Sequence, residues 1–349
     1  MLISSAITLA WLVKPLIGYL IDNFFHKKAW IFIATALDIA TVLILGLFPL
    51  PIFLLISMLL LNSTNSAFRD VAVDGIMCVE GKAYKATGKI QSIQWMSISI
   101  SGLITGIGGG IIAQKWGYQI GFLCLIPIYC LVALTTSFYK IEHKLETAPA
   151  KGSLCADLKK LFSDKNLIIV SLFIFLYKYS PSFGTPLFFI QRDVFKWNKI
   201  WIGTLGTLGT VFEISGAILY YKFSQKINIK KWLYISVFLG ALTTLSYLYY
   251  TPKTAVLYNI LYSLIGMFIF LMVMDFMARN TVKGLEATSF ALLCSVNNLA
   301  MTASSLSGAV LLPKLGLKWL IVLSALTSFL CLPLINRIKY EPQGSKKNS

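Results

Sequence analysis

The sequence predicts an all-α polytopic membrane protein with about 11 transmembrane helices in two bundles. Three observations lead there. Hydrophobic residues make up 57% of the 349 and charged residues 13%, about half the charge of a soluble domain. Apolar runs long enough to cross a ~30 Å hydrocarbon core as helices recur from end to end. A polar stretch and an internal repeat divide those runs into two comparable halves. A soluble single-core enzyme, a disordered chain and an outer-membrane barrel are excluded; the barrel would show ~10-residue alternating segments.

The spans fall at 2–21, 29–48, 51–78, 89–113, 118–138, 166–190, 200–221, 232–250, 254–278, 288–312 and 317–336. The first five form an N-terminal bundle (1–139) and the last six a C-terminal bundle (166–338). The charged stretch 140–165 links the two bundles, with a short surface helix at 154–162, and 339–349 is a tail.

Ionisable residues inside the spans are the informative ones, because each costs at least ~2.5–3.5 kcal/mol unless it meets a partner or a wet cavity. In the first span Lys14 precedes Pro15, which frees a backbone carbonyl and kinks a helix. Lys14 is either a cavity-facing cation or a structural counter-ion. In the third span Asn62, Ser66, Asp70 and Asp74 recur every four residues, flanked by Asn65 and Arg69. That spacing places them on one half of a helical cylinder. Two readings stand: a buried Arg69–Asp70/Asp74 network, or a cavity wall that touches solute or protons.

The fourth span offers Gln91, Gln94 and Trp95 for hydrogen bonding and stacking, and then glycines suited to close helix packing. The sixth carries Tyr177-Lys178-Tyr179-Ser180-Pro181. A cation beside aromatics at a proline break suits a ring-bearing anion; a snorkelling lysine in an aromatic belt is the bland alternative. Asp38, Glu213 and Asp275 are further intramembrane acids, each a proton site or a structural partner.

The net charge of +17 sits largely in the loops. With the loop after the first span placed inside, Lys and Arg favour the inner loops roughly threefold, which puts the C-terminus in the cytoplasm. Nucleic acid is not an expected partner; a lipid bilayer is, in a bacterial inner or plasma membrane or an organellar one. No cysteine or histidine spacing suggests a metal, and no cofactor fingerprint or nucleophile–base pair suggests an enzyme. A monomer is the simplest expectation.

The repeat is local but well placed. Asp74, Lys82 and Ala86-Thr87 recur 201 residues later as Asp275, Lys283 and Ala287-Thr288, and Lys115-Trp-Gly117 recurs as Lys314-Leu-Gly316. Projected back through the repeat, the sixth span lands about 35 residues before Met1, so a six-plus-six architecture is expected, with one helix absent from the front.

Three segments stand out: Trp11, Lys14-Pro15, Gly18 and Asp22; then Arg69-Asp70 and Asp74 through Glu80, with Gly88, Gln91, Ser92 and Trp95; then Glu286-Ala287-Thr288 through Ser295, with Asn297. Together they resemble the folate–biopterin transporter family of the major facilitator superfamily. The resemblance implies a major-facilitator-type two-bundle fold and a proton-coupled carrier of folate- or pterin-like anions working by alternating access. Lys14, Asn62, Arg69, Gln91, Trp95, Tyr177 and Lys178 would then contact solute. Asp70, Asp74, Glu213 and Asp275 would couple protons or pair with cations, and Asp22 with Lys27 and Lys28 would form a cytoplasmic gate. The alternatives are a permease for S-adenosylmethionine or a peptidoglycan fragment, and a membrane protein that does not transport.

Overall fold

The computed structural model describes residues 13–139 and 154–339. The front of the first span, most of the linker and the tail lie outside the described residues. No strand occurs among those described.

In chain order the helices are α1 (Lys14–Asn23), α2 (Lys27–Leu47), α3 (Ile52–Ala83), α4 (Thr87–Leu123), α5 (Ile126–Phe138) and α6 (Leu154–Ser163). They continue as α7 (Lys165–Lys178), α8 (Gly184–Phe189), α9 (Lys199–Phe223), α10 (Ile229–Ser246), α11 (Pro252–Arg279), α12 (Glu286–Thr327) and α13 (Leu332–Ile335).

Local chemistry sets several starts. Pro15 sits in the first turn of α1, where its missing N–H leaves no bond unmade. The side chains of Asp164, Asn198 and Asn228 accept the first free N–H groups of α7, α9 and α10. Thr251 and Thr254 form a reciprocal capping box on α11.

Among the described residues, seven apolar stretches are long enough to cross a membrane, Gly108–Phe138 and Glu286–Ile335 included. The count is compatible with about eleven spans because these two are not single crossings, and because α1 in the span 2–21 and α7 and α8 in the span 166–190 are each too short to be counted. A straight helix of 50 residues would run ~75 Å, more than twice the hydrocarbon thickness. The breaks fall at Gly117 (φ 82, ψ 167) in α4 and Gly316 (φ 71, ψ 166) in α12. That region of backbone space is essentially open to glycine alone. The two glycines are repeat mates, and they separate the spans 89–113 from 118–138 and 288–312 from 317–336.

The chain forms two compact units. Unit 1 takes in the described parts of Met1–Tyr84, Ser101–Ser163 and Thr281–Ser295; unit 2 takes in those of Lys85–Ile100, Asp164–Asn280 and Val296–Ser349. Each unit thus includes the start of a long helix from the other sequence half: α12 begins in unit 1 and α4 in unit 2. The core of unit 1 packs Ile17, Ile21, Ile31, Ala67, Val71 and Ala72 against Ala287 and Ala291. In unit 2, Phe173, Tyr220, Leu271, Phe276 and Leu320 are fully buried. Leu47, Phe53, Ile104, Leu131, Leu242 and Leu306 are among many exposed large apolar side chains. So much apolar exposure calls for lipid as the surrounding phase. The protein is an integral multi-pass membrane protein.

Candidate functional site

The polar stripe of α3 divides between two neighbouring helices. Lys14 Nζ on α1 donates to Asp70 Oδ2 at 2.5 Å, and Lys14 is 7% exposed. Asp74, one turn further along α3, is buried within electrostatic range of Lys14. Arg69 turns instead to α2, where its guanidinium pairs with fully buried Asp38. It also donates to Ser66 Oγ at 3.2 Å and lies 5.2 Å from the Tyr129 ring centroid. Asn62 Nδ2 completes this knot, donating to Asp38 Oδ1 at 2.9 Å and to Tyr129 Oη at 3.4 Å.

The expected Arg69–Asp70/Asp74 network is therefore corrected. Consecutive residues on a helix point about 100° apart, so Arg69 and Asp70 address different helices. The partner of Arg69 is Asp38. Its position within an apolar span was the signal that it needed a cation.

A second cluster in unit 1 holds the start of α12. Asp22, at the end of α1, accepts from Ala287 N (3.3 Å), Thr288 N (2.8 Å) and Thr288 Oγ1 (2.7 Å). A carboxylate facing the first N–H groups of a helix meets both unpaired donors and the positive end of the helix dipole. Lys27 Nζ lies 3.3 Å from the same carboxylate. Asp22 sits at the end of the first span and is 8% exposed. Gly18 permits the approach, since a Cβ there would lie 2.7 Å from Thr288 Cα. Lys82 adds contacts to Glu286 (3.7 Å) and Thr281 Oγ1 (2.8 Å). Lys28 does not join this group. Its Nζ caps the end of α5 through the carbonyls of Ser137 (3.1 Å) and Tyr139 (2.9 Å).

Unit 2 contains a cavity of about 330 Å³, at the lower end of the range for small-molecule pockets. Tyr177, Lys178, Ser236, Thr243, Tyr262 and Phe270 line it. Lys178 ends α7, where the chain leaves helical geometry ahead of Pro181. Its ammonium lies 5.4 Å from the Phe270 ring and 5.8 Å from the Tyr177 ring. It forms no ion pair with a carboxylate among the described residues. Tyr177 Oη donates to Ser236 Oγ at 2.9 Å, which fixes the orientation of its ring. Trp95 stands edge-on to Phe270 at 4.5 Å, so it backs the ring wall. Tyr179 stacks on Phe175. Phe270 is the site residue that sequence reasoning missed; one phenylalanine within Phe268-Ile-Phe270 of an apolar helix gives no signal of its own.

The remaining predicted residues have separate settings. Asp275 is fully buried and accepts from Thr87, from Tyr220 Oη (2.8 Å) and from Arg279 Nε (2.8 Å). Arg279 was legible as its i+4 neighbour on the same helix. Gln91 is fully buried one turn along α4 from Thr87, and Glu213 is half-buried on α9. Glu213 forms no ion pair among the described residues.

The family model described as "BT1 family" matches residues 1–348. The chain is 23% identical over 366 residues to a folate-biopterin transporter of Synechocystis, covering 97% of this chain and 74% of that protein. It is 23% identical to folate transporter 1 of Plasmodium falciparum, covering 93% and 69%. The fold is similar to that of the E. coli fucose:proton symporter, with a TM-score of 0.77 at 13% identity, covering 98% of this chain and 92% of that one. It is also similar to a proton:xylose symporter of the major facilitator superfamily, with a TM-score of 0.69 at 10% identity, covering 96% and 85%.

Proposed function

Since the chain belongs to the BT1 family and is a membrane transporter of the major-facilitator fold, we propose that it is a secondary active, proton-coupled carrier of folate- or pterin-like organic anions. The observation that carries this reading is Lys178. It is a cation on a cavity wall, it lies over two aromatic rings, and no carboxylate among the described residues neutralises it. Such a site takes a flat ring bearing negative charge: the ammonium meets the anion, and Tyr177 and Phe270, backed by Trp95, meet the ring.

Lys14 and Arg69 play a conditional part, because Asp70 and Asp38 already hold them. A proton taken by Asp70 neutralises the partner of Lys14 and leaves that ammonium able to attract a solute carboxylate. Proton entry and anion binding are thereby linked at one ion pair, with Asp74 beside it. Asn62 holds Asp38 in place and Gln91 supplies a further polar group. Asp275 and Glu213 are the second-rank acids. On the cytoplasmic side Asp22, Thr288 and Lys27 form the closure that must part in an alternating-access cycle; Lys28 braces α5.

The test is uptake of labelled folate into vesicles driven by a pH gradient, with Lys178→Met beside the unaltered chain. Saturable uptake that weakens sharply in the variant supports the reading; equal uptake by both sinks it. A cationic solute such as S-adenosylmethionine would need Asp70 and Asp74 as anchors. Competition by S-adenosylmethionine but not by a pterin would favour that second reading. A well-inserted chain that moves neither solute would point to a membrane protein without transport activity.

A further inference from the structure

The helix α6 (Leu154–Ser163) has no part in the carrier cycle described above. It is 10 residues long, about 15 Å, and so cannot span the membrane. Lys160 Nζ donates to the carbonyl of Lys283 at 2.7 Å. Lys283 lies in the loop between the membrane helices α11 and α12, and that loop marks the edge of the apolar layer. The bond therefore holds α6 at the membrane surface.

Its two faces differ. Leu161 is 3% exposed and packs inward, whereas Leu158 at 38% and Phe162 at 65% are left uncovered beside it. Helical spacing places Leu158, Leu161 and Phe162 on one side of the cylinder. Lys159 flanks that side and Lys160 lies opposite it; both are exposed, as is Lys283. An uncovered apolar edge at the water–lipid boundary, with lysines directed away from it, is the pattern of a helix lying in the interface of an anionic membrane.

We propose that α6 is an interfacial anchor for anionic phospholipid, with Phe162 and Leu158 in the upper acyl region and Lys159, Lys160 and Lys283 at the headgroup phosphates. The charge matches the side of the membrane: the lysine-rich loops are expected to face the leaflet that carries anionic lipid. The proposal is independent of the transported solute, and its test contains no transport step.

The full chain would carry a benzophenone amino acid at position 162 and be reconstituted in nanodiscs of phosphatidylcholine, alone or mixed with phosphatidylglycerol. Photolysis should yield phospholipid adducts. Hydrogen exchange at amides 158–163 should slow when phosphatidylglycerol is added, and Lys159→Gln should reduce that gain about fivefold. Lys159→Gln spares the Lys160–Lys283 bond, so it does not detach the helix. Adducts to residues 140–153 or to a second copy would overturn the proposal. So would the absence of adducts, or exchange indifferent to phosphatidylglycerol.

Discussion

Lys14 and Asp70 hold each other at 2.5 Å between α1 and α3, and Arg69, beside Asp70 in sequence, is paired elsewhere. Lys14 is 9% and Asp70 28% exposed at the side chain. Removing one partner of such a pair leaves an uncompensated charge, at a cost of about 3–5 kcal/mol. Lys14→Met and Asp70→Leu should each lower the melting temperature in detergent, and the double variant should recover most of the loss. The double variant should nonetheless fail to accumulate solute under a pH gradient. A double variant that is stable and still accumulates would remove the pair from the coupling mechanism.

Lys178 should behave in the opposite way. No acid among the described residues pairs with it, so Lys178→Met orphans none of them and takes a cation out of an apolar setting. Thermal stability should hold or rise, while KM for the anionic solute rises at least about tenfold, the loss of one charge-assisted contact of about 1.5–3 kcal/mol. Phe270→Leu should raise KM less and leave stability within about 1 kcal/mol. Parallel losses of stability and affinity in Lys178→Met would mark it as structural instead.

Arg69 calls for a paired experiment. Arg69→Ala deprives Asp38 and Ser66 of their bonds to the guanidinium, so lost uptake alone would say nothing about solute contact. Lys in its place cannot reproduce a planar fork that reaches Asp38, Ser66 and the Tyr129 face together. Arg69→Lys should therefore unfold several degrees below the unaltered chain. Asp38→Asn combined with Arg69→Gln should regain stability. Uptake by that combination would assign Arg69 to architecture; a stable chain without uptake would assign it to the solute.

Part of this arrangement is legible in the residues themselves. The ionisable positions were legible because a charge in an apolar span is conspicuous: Lys14, Asp38, Asp70 and Lys178 all stand out by cost. Their pairing was not, since it depends on which helices meet α3, and no local spacing encodes that. Ring geometry was hidden for the same reason. Phe270 differs in nothing from its apolar neighbours until α7 is seen to end opposite it. The repeat fared better, because Gly117 and Gly316 carry a backbone demand as well as a sequence match.

At the start of α12 the decisive quantity is space. A Cβ on Gly18 would lie 2.7 Å from Thr288 Cα and 2.8 Å from the Ala287 carbonyl oxygen, and backbone atoms cannot swing aside as a side chain can. Gly18→Ala should push α1 away from α12 and stretch the bonds from Thr288 to Asp22, costing about 1–3 kcal/mol. Hydrogen exchange at the amides of Ala287 and Thr288 should then accelerate. Thr288→Val, which deletes one hydroxyl bond and keeps the spacing, should have a smaller effect. Unchanged exchange in Gly18→Ala would show that the contact is looser than its geometry requires.

The two reversals at Gly117 and Gly316 provide the sharpest comparison, because similar backbone angles recur at repeat-related positions. Neither glycine has an atom within 4 Å of where a Cβ would sit, so steric clash with neighbours is not at issue. The cost of Gly117→Ala or Gly316→Ala is the backbone conformation itself, about 1–3 kcal/mol. Both variants should therefore lose similar stability in thermal unfolding, and Gly→Val at either position should lose more than Gly→Ala, because a branched side chain tolerates positive φ worst. A large penalty at one glycine and none at the other would mean that the two turns are not equivalent, and that the repeat ends before it reaches them.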